Sequence, residues 1–201
     1  MPNHLETREA AYGDAIRSGR IKMLLVLLVC AAPVIASYVS FYFLKPEGRT
    51  NYGTLVEVKP LPAATLTLLD GKPFNLGEFK GKWVLITQDS GECAEACIKK
   101  LYAMRQVRLM TGKDKDRIER AWLITDAAAL STKTMREYDG TRMLLAGDAA
   151  LLSQFPAPLR AQDHIYLIDP LGNLVLRFPQ DADPARMKKD LGRLLKYSRI
   201  G

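Results

Sequence analysis

Two of the three cysteines in this chain, Cys93 and Cys97, stand four residues apart in the stretch DSGECAEAC. On a helix, residues at that spacing face each other with Cα atoms about 6 Å apart, inside the roughly 7 Å limit for a disulfide. Such a pair is a working dithiol, a clamp for a soft metal, or two small apolar residues. Cys93 falls just ahead of the helix, where unpaired N–H groups and the helix dipole favour a thiolate. A thiolate is both the nucleophile of disulfide exchange and a ligand for soft metals. Cys97 continues an apolar face with Leu101 and is equally suited to the core. The chain has two histidines, His4 and His164. Two thiolates and the His164 imidazole would suit copper, thiolates for Cu(I) and imidazole for both oxidation states. Against this stands a surface histidine beside Asp163. Zinc is not indicated, because a second ligand pair is missing from the sequence.

The elements that must position these residues are legible from residue 63 onward. ATLTLLDGKPFNL reads as two extended pieces about an Asp70-Gly71 turn. GKWVLITQ reads as a buried strand, because Trp83 to Thr87 is a nearly unbroken apolar run. A helix follows from Glu95 to Thr111, with Cys97, Leu101, Met104 and Val107 on one face and Gly112 ending it. Lys99, Lys100 and Tyr102 at helical spacing read as a solvated face. RAWLITD is a second buried strand, STKTMREY a helix capped by Ser131 or Thr132, TRMLLAGD a short strand and AALLSQF helical. HIYLIDPLGNLVLRF is a hairpin, strands Ile165–Ile168 and Leu174–Phe178. The last helix has Asp183 at its cap and Pro184 at its first position. Strand–helix–strand–helix followed by hairpin–helix predicts an α/β fold, the thioredoxin-like arrangement of a mixed central sheet flanked by helices. The cysteine pair falls at its first strand-to-helix junction.

C-x-x-x-C at that junction, a membrane anchor and a lone histidine before IYLIDPLGNL resemble the Sco/SenC family. The chain is similar, more narrowly, to transmembrane proteins encoded beside cytochrome oxidase assembly genes in proteobacteria. The resemblance implies a thioredoxin fold, copper handling and a part in cytochrome c oxidase assembly. It also implies Cys93 and Cys97 as reactive residues, and Cys93, Cys97 and His164 as copper ligands. The partner would be an oxidase subunit or another assembly factor. The chain departs from the family pattern: TQDSGECAEAC replaces an aromatic-rich stretch with Cys-Pro, and His164 lies two residues before Tyr166 rather than about five. Thioredoxins carry a cis-proline where Asp163 stands. Ser90 stands three residues before Cys93, as in peroxiredoxins, but Ile86 occupies the place of their proline. The alternatives are a non-catalytic thioredoxin-fold binding module with a structural disulfide, or a thiol peroxidase.

The compartment follows from the N-terminus. MLLVLLVCAAPVIASYVSFYFL, residues 23–44, carries no charge, and at about 1.5 Å per helical residue it covers the roughly 30 Å hydrocarbon core. Tyr38, Phe41, Tyr42 and Phe43 read as an interfacial aromatic belt. A cleaved signal would have a shorter apolar core. Arg8, Arg17, Arg20 and Lys22 precede the span; Lys45, Arg49 and Lys59 follow it. That bias places a tail, 1–22, in the cytoplasm, with a linker, 45–62, and a domain, 63–201, outside it. In a bacterium this is a single-pass inner-membrane protein with a periplasmic domain, where disulfide chemistry is permitted. Cys30 lies inside the span. The net charge of +7 is spread without a run of like charges, so a nucleic-acid partner is not expected.

Overall fold

The computed structural model describes residues 4–43, 51–198 and 200, and the chain divides into two compact units, Met1–Arg49 and Thr50–Gly201. The first unit is one helix, α1, His4–Phe43. Its stretch Arg20–Ser40 is long and apolar enough to cross a membrane. Leu24, Leu28 and Ile35 are all more than half exposed. A helix that is apolar all round needs a nonaqueous neighbour. Helix α1 is continuous from His4, so the tail 1–22 is helical where it is described, rather than a separate segment. Leu44 of the expected span, and 45–50 of the expected linker with Lys45 and Arg49, lie outside the described residues.

The second unit is an eight-stranded mixed sheet with helices on its faces. In chain order it contains β1 (Thr54–Pro60), β2 (Thr65–Leu68), β3 (Pro73–Asn75), β4 (Trp83–Asp89), α2 (Glu95–Met110), β5 (Ile118–Ile124) and α3 (Thr132–Glu137). Then come β6 (Arg142–Leu145), α4 (Ala149–Leu152), β7 (Tyr166–Ile168), β8 (Asn173–Arg177) and α5 (Pro184–Tyr197). The strand order is β1-β8-β7-β4-β5-β6-β2-β3. β4, β5 and β6 are parallel, and β7 runs antiparallel to β4. β4 reads as a continuous apolar run because both its faces are covered. Trp83 and Leu85 join Leu101, Met104, Trp122 and Met187 in one core, while Val84 and Ile86 join Phe79, Leu123 and Tyr166 in the other. Alternate residues of a strand point to opposite faces, so one run serves two cores. Leu85, Leu101, Met104 and Trp122 are fully buried, and burial of each such side chain contributes roughly 1.5–3 kcal/mol.

Two expectations are corrected. The stretch 45–62 is not all linker: Thr54–Pro60 pairs antiparallel with β8 as an edge strand. The segment just before it is fixed too. The Gly53 N–H donates to the Asp190 carboxylate of α5 at 2.8 Å, and the Arg186 guanidinium lies 4.0 Å over the Tyr52 ring. Secondly, Lys100 is not on a solvated face. Lys99 and Tyr102 are exposed, but Lys100 is buried with only 7% of its surface accessible.

Candidate redox and copper site

β4 ends at Asp89, and a tight turn carries the chain into α2. The Cys93 N–H donates to the Ser90 carbonyl at 3.1 Å, closing the turn over Gly91 and Glu92. Cys93 has a φ of +48°, the left-handed region that costs a side chain about 1–2 kcal/mol. Ala94 is the N-cap of α2 and its side chain caps nothing. The pair is oxidised: Cys93 and Cys97 are joined as a disulfide with Cα atoms 5.1 Å apart, in the ordinary range for the bond. Both cysteines are buried, Cys97 more completely at 1% exposure against 7% for Cys93.

The turn is gripped by Asp126, which is not among the candidate residues of the sequence, and by Lys100, expected there on a solvated face. The Asp126 carboxylate, in the loop after β5, accepts the Gly91 N–H at 2.9 Å and the Ala128 N–H at 3.1 Å. The Ser90 hydroxyl also bonds it, and these bonds, Ser90's foremost, hold the Asp126 carboxyl below its usual range. Gly91 must be glycine here, since a Cβ would overlap the Ala128 carbonyl oxygen. On the other flank the Lys100 ammonium pairs with Asp89 at 2.7 Å and donates to the carbonyls of Gln88 and Gln162. Burial pushes the Lys100 ammonium down, against Asp89 and Asp163, which push it up. Lys100 was findable in principle: it lies on the stripe of Cys97, Leu101 and Met104, and a lysine there must have a partner. Asp126 left no local signal, because its contact crosses from one strand end to the next.

His164 sits at the same end of the sheet, just before β7, where the Thr87 hydroxyl donates to its carbonyl at 3.1 Å. Its Nδ1 lies 2.8 Å from the Phe178 carbonyl oxygen. A carbonyl only accepts, so Nδ1 carries the proton and Nε2 the lone pair. Burial pushes the His164 pKa down; Arg177 and Lys100 add to this, and the Phe178 bond and Asp163 oppose it. The neutral ring is the form that ligates a metal. Asp163 is paired with Arg160 at 2.8 Å. Tyr166 donates to the Pro156 carbonyl at 3.1 Å, and burial raises its phenol to about 12.

The donor chemistry therefore fits copper as a cargo only after reduction, which would free two soft sulfurs, with the His164 Nε2 available at the same end of the sheet. Among the described residues no three His, Cys, Asp or Glu side chains are grouped to hold a metal, so the oxidised form does not bring His164 together with the two sulfurs as a ready triad. A groove of about 300 Å³ runs along α2, lined in part by Ala96, Lys100, Ala103, Asp163, Ile165 and Ala182; neither cysteine lines it.

The family model of the transmembrane-like, thioredoxin-like C-terminal domain matches residues 83–198. No curated protein matches the chain in sequence. Among solved structures, apo Sco1 of Thermus thermophilus superposes with a TM-score of 0.58 at 19% identity, covering 74% of this chain and 99% of its own. Yeast Sco1 with copper bound gives 0.54 at 19% identity, over 70% of this chain and 96% of its own. The thioredoxin domain of a thiol-disulfide oxidoreductase from Bacteroides vulgatus gives 0.51 at 22% identity, over 70% and 99%. The mixed sheet flanked by helices is thus thioredoxin-like, as the order of elements predicts.

Proposed function

The chain belongs to the transmembrane-like, thioredoxin-like family, and on that premise we propose that it is a membrane-tethered thiol protein assisting cytochrome c oxidase assembly. It serves either by delivering copper or by keeping the oxidase's copper-binding cysteines reduced. The observation that carries this reading is the Cys93–Cys97 pair, close enough to form a disulfide, at the end of β4 and the start of α2. Helix α1 supplies the tether. The domain lies on the periplasmic side of a bacterial inner membrane, with the N-terminus in the cytoplasm.

In the thiol role, the reduced Cys93 thiolate attacks a disulfide at the oxidase copper site. One mixed disulfide forms and one substrate thiolate leaves. The Cys97 thiolate then displaces the second substrate thiolate and closes Cys93–Cys97. Two electrons pass to the substrate, and an extracytoplasmic dithiol reductant resets the pair. Cys93 is the attacking residue because it is the less buried of the two cysteines and lies at the helix mouth; Cys97 resolves. In the copper role the same two thiolates hold Cu(I) as cargo, with His164 as the third ligand.

The test is copper stoichiometry of the reduced full chain in detergent, measured with the redox state of the pair. One Cu(I) per chain is expected, abolished by Cys93→Ser or Cys97→Ser. A Cys97→Ser chain should also trap a mixed disulfide with an oxidase subunit or another assembly factor. A chain that binds no copper and traps no partner would sink the proposal. A second reading, a binding module with a structural disulfide, is favoured by the burial of both cysteines. It predicts a reduction potential below about −300 mV. Peroxidase chemistry has less support, since the Ser90 hydroxyl is engaged by Asp126 and by the Glu92 N–H at 3.2 Å.

A further inference from the structure

One of the two side chains that hold the turn presenting Cys93 comes from the far side of β5, and no motif assigns that residue a role. Asp126 reaches it from the loop after β5. β4 and β5 are parallel with Asp89 opposite Ile124, so the chain leaving each strand runs beside the other. The Thr125 N–H donates to the Asp89 carbonyl at 3.0 Å, which continues that pairing. One residue on, the Asp126 carboxylate takes the Gly91 N–H at 2.9 Å and the Ser90 hydroxyl. It thereby holds two of the four residues of the turn. The turn's own bond, Cys93 N–H to the Ser90 carbonyl, closes it just where the Cys93 backbone is left-handed. Gly91 packs so closely on Ala128 that the two loops fit in a single way.

We propose that Asp126 is a positioning residue that holds the reduced Cys93 turn in its disulfide-forming shape and so sets the redox equilibrium of the pair. This rests on the reading of Cys93–Cys97 as a working dithiol. In the disulfide form, the bond to Cys97 and the Asp126 clasp restrain the same backbone. In the dithiol form, with the S–S bond gone and the turn's own bond and the Lys100–Asp89 pair unchanged, a larger share of that restraint falls on the clasp. Its loss therefore frees the dithiol more than the disulfide, and chain entropy then opposes closure. Closure takes two electrons and two protons from the Cys93 and Cys97 thiols. It forms one S–S bond and converts one oxidised glutathione, or one oxidised dithiothreitol, to its two thiols.

The experiment titrates the full chain in detergent micelles against glutathione and dithiothreitol couples, counting thiols by alkylation. Asp126→Ala should shift the equilibrium toward the dithiol by about threefold to tenfold, equivalent to about 15 to 30 mV. Asp126→Asn keeps an acceptor oxygen for the Gly91 N–H and should fall between. Ser90→Ala removes one arm of the clasp and should shift the same way by less. If Asp126→Ala does not fold, Ser90→Ala decides. No shift, a shift toward the disulfide, or an equal fall in melting temperature of both redox forms without a shift would each overturn the proposal. A wild-type pair reduced only by the dithiothreitol couple would instead sink the working-dithiol reading, while the difference between wild type and variant would still report on the clasp.

Discussion

The cysteine turn and the histidine segment meet at one end of the sheet, yet they are held in opposite ways. The turn is gripped by side chains from neighbouring elements, Asp126 on one flank and Lys100 on the other, and by a contact that admits only glycine at 91. His164 is fixed through carbonyl groups: its own, bonded by Thr87, and that of Phe178, bonded by its ring. The first arrangement restrains where a backbone goes. The second leaves the backbone ordinary and determines which nitrogen carries a proton. Thiol exchange depends on bringing two sulfurs to one geometry, whereas a histidine ligand or base depends on its tautomer.

Lys100 is where the two regions touch, since its ammonium bonds Asp89 at the root of the cysteine turn and the Gln162 carbonyl at the root of the histidine segment. Lys100→Met should therefore give the largest effect. Removing one member of a buried ion pair strands the other, and a loss of about 3 kcal/mol is expected in denaturant unfolding. Nuclear magnetic resonance should show both regions disturbed; a change confined to one would break the linkage. Gly91→Ala should cost about 1–3 kcal/mol through overpacking. It should speed alkylation of Cys93 in the reduced chain while leaving the His164 ring resonances in place. Movement of those resonances would mean that the two regions are not separately held.

His164→Ala should do the reverse. The redox equilibrium of the pair should hold steady, while Cu(II) binding weakens by at least about tenfold and Cu(I) binding by less. Unchanged affinity for both ions in the variant would make the histidine an ordinary surface residue. The smallest effect concerns pH. The folded His164 pKa lies below its ordinary value of 6.5, so the unfolded chain binds more protons between those two values. Stability from this group is complete above about pH 6.5, falls as pH drops through the folded value and is flat below it. A wild-type melting temperature that falls over that window, against a flat His164→Ala control, is expected; identical curves would show that burial does not act on this ring.

Much of this was legible in the sequence, for reasons tied to distance along the chain. Cys97, Leu101, Met104 and Val107 share a face by helical arithmetic, and all four are buried. The run Trp83–Thr87 could not be other than a strand covered on both sides. Strand β1 escaped because it is an edge strand: five of its seven residues are exposed, so no alternation marks it, and its pairing partner β8 lies far along the chain. The cysteine pair was visible because both members lie in one short stretch. Asp126 was not, since it meets Gly91 across 35 residues, through a strand register that no local pattern encodes. Lys100 was legible as a position and misread as an environment, because charge suggested water where the helical stripe pointed inward.

The attachment of β1 has a mechanical consequence. On the proposed reading, an anchor helix that diffuses in a bilayer while the domain grips a partner would put the chain between them under tension. That tension enters the second unit at Tyr52 and Gly53, before it reaches the edge strand. There it meets the Asp190 carboxylate on Gly53 and the Arg186 guanidinium stacked on Tyr52, both borne by the last helix. A tug on the tether is thus passed to α5 as a load on a buried hydrogen bond and a ring stack, and β1 is spared from peeling off the sheet one bond at a time. The C-terminal helix acts as a cleat for a rope fastened at the other end of the chain.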